Sequence, residues 1–186
     1  MKIDLRVPPC KPANETADFI KQCEDAGFDG VGLLDSQLLE RDVFVSMAVA
    51  AQATSKIRIA SAVTNPVTRH PSVLASAFKT VAEIAPGRTE YWMGRGYSSV
   101  QTIGIKPATV KQMRDSVLTM KSLLAGDEVD FDGSKSRMRH GGGEVPPIYI
   151  SATGPRAIEA AGEVADGVLL QIGLDPKAVE LARQHV

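Results

Sequence analysis

Cysteine is scarce in this chain of 186 residues: only Cys10 and Cys23 occur, and neither stands in a CxxC pair or near a histidine at ligand spacing. Neither a disulfide framework nor a zinc site of the common spacings is therefore indicated. Long apolar runs are missing as well, and none approaches the roughly 20 residues that a membrane span needs. The first residues, Met1-Lys2-Ile3-Asp4-Leu5-Arg6, alternate like a strand and do not read as a secretion signal. Charge of one sign is not in excess, since 21 Lys and Arg stand against 22 Asp and Glu for a formal net charge of −1. Such a balance argues against nucleic acid or a membrane surface as the main partner. The sequence also lacks a Gly-x-Ser-x-Gly elbow, a His-Glu-x-x-His pair and a Walker loop, which removes the common hydrolase, metalloprotease and NTPase signatures. His70, His140 and His185 are scattered and read as ordinary loop or surface residues, so no metal site is expected. The expected setting is the reducing cytoplasm.

What is present is a rhythm. Short apolar runs at 3–7, 31–34, 57–63, 89–93, 148–151 and 168–171 alternate with stretches of helical spacing. The helical stretches carry Phe19, Ile20, Cys23 and Ala26; then Phe44, Met47, Ala48 and Ala51; then Leu74, Ala77, Phe78 and Val81; then Met113, Val117, Met120 and Leu124. Asn14 is the expected cap of the first helix, and Asp175-Pro176 opens the last. Residues 127–143 break the rhythm and read as an inserted hairpin with an Asp132-Gly133 turn. Asp29-Gly30-Val31-Gly32-Leu33-Leu34 echoes Asp166-Gly167-Val168-Leu169-Leu170, as if one helix-to-strand turn were used twice. Continuous apolar strands such as 148–151 and 168–171 suit burial on both faces of a parallel sheet.

Six strands and six helices in alternation indicate a single α/β domain over residues 1–186. A doubly wound sheet and an incomplete barrel both fit. The dinucleotide fingerprint of the former is absent, because Gly94-Arg95-Gly96-Tyr97-Ser98-Ser99 lacks a third glycine and follows strand four. Polar and glycine residues gather instead at the C-terminal ends of strands two to six: Asp35, Asn65, Arg95, Ser151 and Gln171. In a (β/α) barrel that rim carries the chemistry, so the expected fold is a TIM (β/α)8-type barrel with about six of its eight units present.

A rim poor in acid–base side chains but rich in small polar residues suits a cofactor that performs the chemistry itself. Ser151-Ala152-Thr153-Gly154, between a strand and a helix start, is the strongest site; free N–H groups there favour an anion such as a phosphate, and a plain βα connection is its alternative. Asp35 is either a hydrogen-bond acceptor for a ligand or a cap on its own turn. Asn65-Pro66 either exposes backbone donors or is a simple turn. Arg95, between glycines, either pairs with an anion or is a surface arginine. Lys135, Arg137, Arg139 and His140 form a basic face on the hairpin, read as solvated, or otherwise as a contact for an anionic tail.

Together, Asp35, Ser61–Pro66 with Arg69-His70-Pro71, Gly94-Arg95-Gly96, and Ser151–Ala157 through Ala165–Val168 resemble the bacterial luciferase-like family of flavin- and deazaflavin-dependent oxidoreductases. The last segment is most similar to the methylene-tetrahydromethanopterin reductase branch. The resemblance implies a TIM barrel holding 8-hydroxy-5-deazaflavin (coenzyme F420) or FMN over its C-terminal mouth. It implies a cis peptide at Ala62-Val63 behind the cofactor ring, polar contacts from Asp35 and Asn65, and cofactor contacts from Arg95 and Gly96. Phosphate would lie near Ser151, Ala152, Thr153 and Gly154 and near Gln171 and Gly173. Some sugar-phosphate dehydrogenases of this kind carry a catalytic histidine after the strand-two aspartate; Ser36 stands there, so no catalytic residue is carried over. The function implied is hydride transfer between the bound cofactor and a small organic substrate, in a homo-oligomer. FMN-dependent monooxygenation and a non-catalytic flavin-binding or assembly role are the alternatives.

Overall fold

The computed structural model describes residues 2–186. Six parallel strands, β1 (Asp4–Val7), β2 (Gly30–Leu33), β3 (Arg58–Thr64), β4 (Thr89–Met93), β7 (Ile148–Ala152) and β8 (Gly167–Leu170), pair in the order in which they occur in the chain. Two further strands, β5 (Glu128–Phe131) and β6 (Ser134–Arg137), form the expected antiparallel hairpin apart from this sheet. Residues of β1 and of β8 line one common cavity, so the sheet curls and its two edges face each other across a concave interior. The fold is an α/β half-barrel of the TIM type.

The convex side carries the core. Helices α1 (Ala13–Asp25), α2 (Val43–Ala53), α3 (Pro71–Ile84), α5 (Val110–Ala125) and α6 (Pro155–Val164) touch in succession and press Ile20, Met47, Leu74, Phe78, Met113 and Met120 against Leu33, Ile59, Tyr91 and Ile150. Tyr91 and Phe78 stack with centroids 3.6 Å apart, and the Tyr91 hydroxyl donates to the Phe78 carbonyl at 2.6 Å. Burial pushes that phenol above its ordinary range.

Several expectations change. The cap of α1 falls on Pro12, with no side-chain bond, so Asn14 is already inside the helix, and Phe19 is 48% exposed and faces away from the core. Residues 98–101 form a short extra helix, α4, so with α7 (Pro176–Arg183) the described residues hold seven helices rather than six. Burial on both faces holds for β2 but not for β4 and β7, where buried and half-buried residues alternate, nor for β8, which is half-buried throughout. The open concave side accounts for the difference: residues pointing inward meet a cavity instead of packed side chains. Capping by Asp42, Thr109 and Asp175 follows the side-chain oxygen rule.

Candidate functional site

Because every strand of a parallel sheet points the same way, their C-terminal ends and the loops after them meet at one rim. There a cavity of about 1090 Å³ opens, lined from β1 by Arg6, from the segment after β2 by Leu34, Asp35 and Ser36, and from β3 by Ala62 and Val63. The segment after β4 adds Gly94, Arg95 and Gly96, and β7 with the start of α6 adds Ser151 to Ala157. Gln171, after β8, completes the wall. The volume stands at the upper end of the range of small-molecule pockets, roughly 300–1,000 Å³.

The rim is fixed by charge-assisted bonds. Arg69, on the loop before α3, donates to Asp35 at 2.6 Å and to Asp42 at 2.7 Å, and its guanidinium lies 5.1 Å from the Phe44 ring centroid. Asp35 also accepts from Thr64 at 2.7 Å and from Gln37 at 3.0 Å. Burial alone would raise the Asp42 carboxyl, but Arg69 and the N–H groups of Val45 and Phe44 bring it below its ordinary range. The hydroxyls of Ser36 and Ser98 are hydrogen-bonded to each other at 2.7 Å, joining the segment after β2 to α4. Asn65 is buried; its amide donates to Ser99 at 3.0 Å, and its oxygen accepts from the N–H groups of Val67 and Thr68. It thus holds the loop after β3 onto α4. Gly96 turns with φ +85°, and a Cβ there would sit 2.8 Å from the Val100 side chain. Arg95 donates through Nε to the Ala108 carbonyl, and the Arg95 carbonyl accepts from the Ala108 N–H, a two-way clamp that fixes the arginine at the wall.

At the opposite side, Gly154 precedes α6 with no side-chain cap, and Pro155 takes the first helical position. A Cβ on Gly154 would meet nothing within 4 Å, so this helix start faces open space. Uncapped N–H groups and the positive end of a helix dipole favour an anion here. The charges facing the cavity are Arg6, Arg95 and Arg156, none with a carboxylate within 4 Å among the described residues, and Asp35, which Arg69 already pairs. The cavity is therefore electropositive.

Of the twelve residues expected at a cofactor, ten line this one cavity: Asp35, Ala62, Val63, Arg95, Gly96, Ser151, Ala152, Thr153, Gly154 and Gln171. Asn65 lies behind the wall, and Gly173 lies beyond it. The Ala62–Val63 peptide bond is cis. Arg6, Ser36, Ser98, Ser99 and Arg156 also line the site and were not among the expected residues. Arg6 had a signal, the polar alternation of Asp4 and Arg6 in the first strand, whereas α4 is too short to leave a periodic one. His70 caps α3, its Nδ1 facing the Ser72 N–H at 3.2 Å, and His185 pairs with Glu159 at 2.9 Å, in keeping with ordinary roles.

A family model described as luciferase-like monooxygenase matches residues 3–186. The chain belongs to this family. Among similar proteins, the 5,10-methylenetetrahydromethanopterin reductase of Methanolobus tindarius is 33% identical over an alignment covering 100% of this chain and 58% of its own length. The F420-dependent glucose-6-phosphate dehydrogenase of Microbacterium testaceum is 29% identical and covers 88% of this chain and 54% of its own. In the solved structure of the coenzyme F420-dependent tetrahydromethanopterin reductase from Methanopyrus kandleri, the fold matches with a TM-score of 0.81 at 26% identity, covering 99% of this chain and 59% of that one. The chain thus spans somewhat over half the length of the relatives it matches. No helix among the described residues is long and apolar enough to cross a membrane.

Proposed function

We propose that this chain forms the cofactor-holding part of an oxidoreductase that transfers hydride between a bound deazaflavin, coenzyme F420, and a small organic substrate. The observation that carries the reading is the electropositive cavity at the strand ends, where the uncapped start of α6 meets Ser151, Thr153, Arg95 and Arg156. Its residues fit such a group. Small residues leave room for a flat ring system, and two unpaired arginines with a helix N-terminus suit a phosphate. The similarity to a dehydrogenase and a reductase named for F420 supports deazaflavin as the group bound.

In this reading the α6 start, Ser151, Thr153 and Gly154 hold the phosphate, and Arg95 and Arg156 neutralise it. Ala62 and Val63 back the ring, and Gly94 leaves space beside them, since a Cβ there would come within 3.1 Å of Val63. Ser36 and Ser98 offer hydroxyls to a polar ring edge, while Asp35 positions Thr64 and Arg69 behind them. When bound, the deazaflavin supplies the hydride donor or acceptor, and the protein orients it and excludes water. The assembly acts on a small molecule in the cytoplasm as a homo-oligomer. That last point is supported by α2, which carries no charged residue over 43–53 yet leaves Val45 58% exposed.

Titration of the purified chain with F420 and with FMN, followed by visible absorbance, tests the reading. Saturable F420 binding that weakens about tenfold in Arg156→Glu is expected, on the scale of a lost charge-assisted phosphate contact. Binding of FMN alone, with oxygen consumption on reduction, would move the chain to the monooxygenases. Binding of neither would end the redox reading for this chain.

A further inference from the structure

The concave face of the sheet is lined in layers. At the base, Arg58 joins Asp4 at 2.8 Å and Glu90 at 2.6 Å, and the Trp92 indole donates to Glu90 at 3.2 Å. One layer higher, two of the inward positions are minimal: Gly32 faces Ala62, so closely that a Cβ on the glycine would be 2.6 Å from that of Ala62. The missing side-chain volume leaves a second, mostly apolar cavity of about 330 Å³, lined by Gly32, Ala62, Trp92 and Leu169 and, at the base, by Asp4, whose carboxylate Arg58 already pairs. Arg6, Ala62 and Gln171 line both this chamber and the larger mouth, so they mark the passage between the two.

Arg6 is the odd residue in this layer. Leu5 and Val7 on either side pack into the convex core, so Arg6 projects to the concave side, where it is exposed. Its one side-chain hydrogen bond among the described residues is a long contact of 3.4 Å to the Ala62 carbonyl. Arg58 and Arg69 are each satisfied twice, Arg58 by Asp4 and Glu90, Arg69 by Asp35 and Asp42. Those pairs consume the nearby carboxylates. Arg95 and Arg156 at the mouth share with Arg6 the lack of a paired carboxylate among the described residues; of these three, only Arg6 also lines the inner chamber. Glu40 is close enough to feel the charge of Arg6, yet it lies beyond 4 Å, and burial holds its carboxyl above the ordinary range. An uncompensated guanidinium thus stands at the door of an apolar chamber, and its planar fork of N–H donors matches a carboxylate.

We propose that Arg6 anchors the substrate, and that the substrate is a small organic carboxylate whose apolar body enters the chamber against Trp92 and Leu169. The proposal rests on the reading of the mouth as the cofactor site, and it adds a substrate class and a specificity-determining residue. The carboxylate pairs with Arg6, its apolar part fills the space that Gly32 and Ala62 leave, and its reacting carbon remains in the mouth. A neutral analogue forfeits the ion pair and leaves Arg6 without a charged partner in the complex.

Trp92 is the sole tryptophan of the chain and a wall of the chamber, so its fluorescence reports occupancy directly. The probes are 4-nitrobenzoate, an apolar carboxylate that quenches indole emission, and 4-nitrobenzamide, its neutral isostere. Saturable quenching by the benzoate is expected, with the amide bound at least about tenfold more weakly, the benzoate weakened similarly in Arg6→Met, and partial recovery in Arg6→Lys. Equal binding of acid and amide by the wild-type protein overturns the proposal without recourse to any variant. So does an absence of saturable quenching, or competitive displacement of the benzoate by F420, which would assign Arg6 to the cofactor's own anion. Deazaflavin binding, measured separately by absorbance on the wild-type chain, keeps the two readings apart. Acid-selective quenching without F420 binding removes the redox reading alone, and F420 binding without acid selectivity removes the carboxylate anchor alone.

Discussion

Glu24 shows how a single side chain can hold a loop. One of its oxygens accepts the backbone N–H groups of Ser55, Lys56 and Ile57, at the entry to β3, and the other lies 3.3 Å from Lys21. Burial works to raise this carboxyl, but the three N–H groups and Lys21 outweigh it and lower it from 4.5 to about 2. A depressed carboxylate stabilises the fold fully above its unfolded value and loses that contribution as the pH falls towards the folded one. Replacing Glu24 by Gln is therefore expected to cost roughly 2–3 kcal/mol at pH 7. The gap between the two proteins should close between pH 4.5 and about 2. Urea midpoints at pH 7 and pH 3 measure this, and a constant gap would refute it. At the same scale, the doubled Asp-Gly turn visible in the sequence has a concrete basis. Asp29 accepts from the Ile3 N–H at 2.7 Å and Asp166 from the Ile148 N–H at 2.8 Å, so each carboxylate clasps the start of the neighbouring strand. Asn65 was legible as a special turn residue but not as one whose side chain is used up, because its partner Ser99 lies 34 positions away.

Among elements, β2 and β3 approach one another through residues with almost no side chain. Gly32 opposes Ala60 in register, and its missing Cβ would collide with the Ala62 Cβ at 2.6 Å. Both atoms would be fixed to backbone, so relief requires the strands to move apart. Gly32→Ala is expected to destabilise the protein by about 1–3 kcal/mol through overpacking, read as a lower denaturant midpoint, and to reduce the volume of the inner chamber. Unchanged stability would show that the strands yield freely. Strand periodicity, the Pro-Gly break after α3 and the Asp132-Gly133 hairpin were all readable because they rest on local chemistry. The four-residue α4 was not, since it depends on contacts brought from afar, Ser98 with Ser36 and Ser99 with Asn65. Phe19 differs as well: helical spacing placed it on the apolar stripe of α1, yet it is 48% exposed.

For the whole molecule, the unequal support of the strands predicts unequal stability. Strands β2, β3, β4 and β7 are paired on both sides, while β1 and β8 are each paired on one, and β8 is half-buried along its length. Local opening free energies follow pairing and burial. Amide exchange by mass spectrometry should show residues 167–170 and 176–183 exchanging well before residues 58–64 and 89–93. Uniform protection across the sheet would contradict the half-barrel as described.

The order of the strands has one more consequence, for synthesis. Each strand of the sheet pairs with the strand that precedes it in the sheet's own chain order, and the sole interruption, the β5–β6 hairpin, pairs within itself. Among the described strands, each of β2, β3, β4, β7 and β8 finds its partner already made. As the chain leaves the ribosome, every new βα unit finds the edge laid down by the one before it, and the sheet can grow in one direction from its N-terminal end.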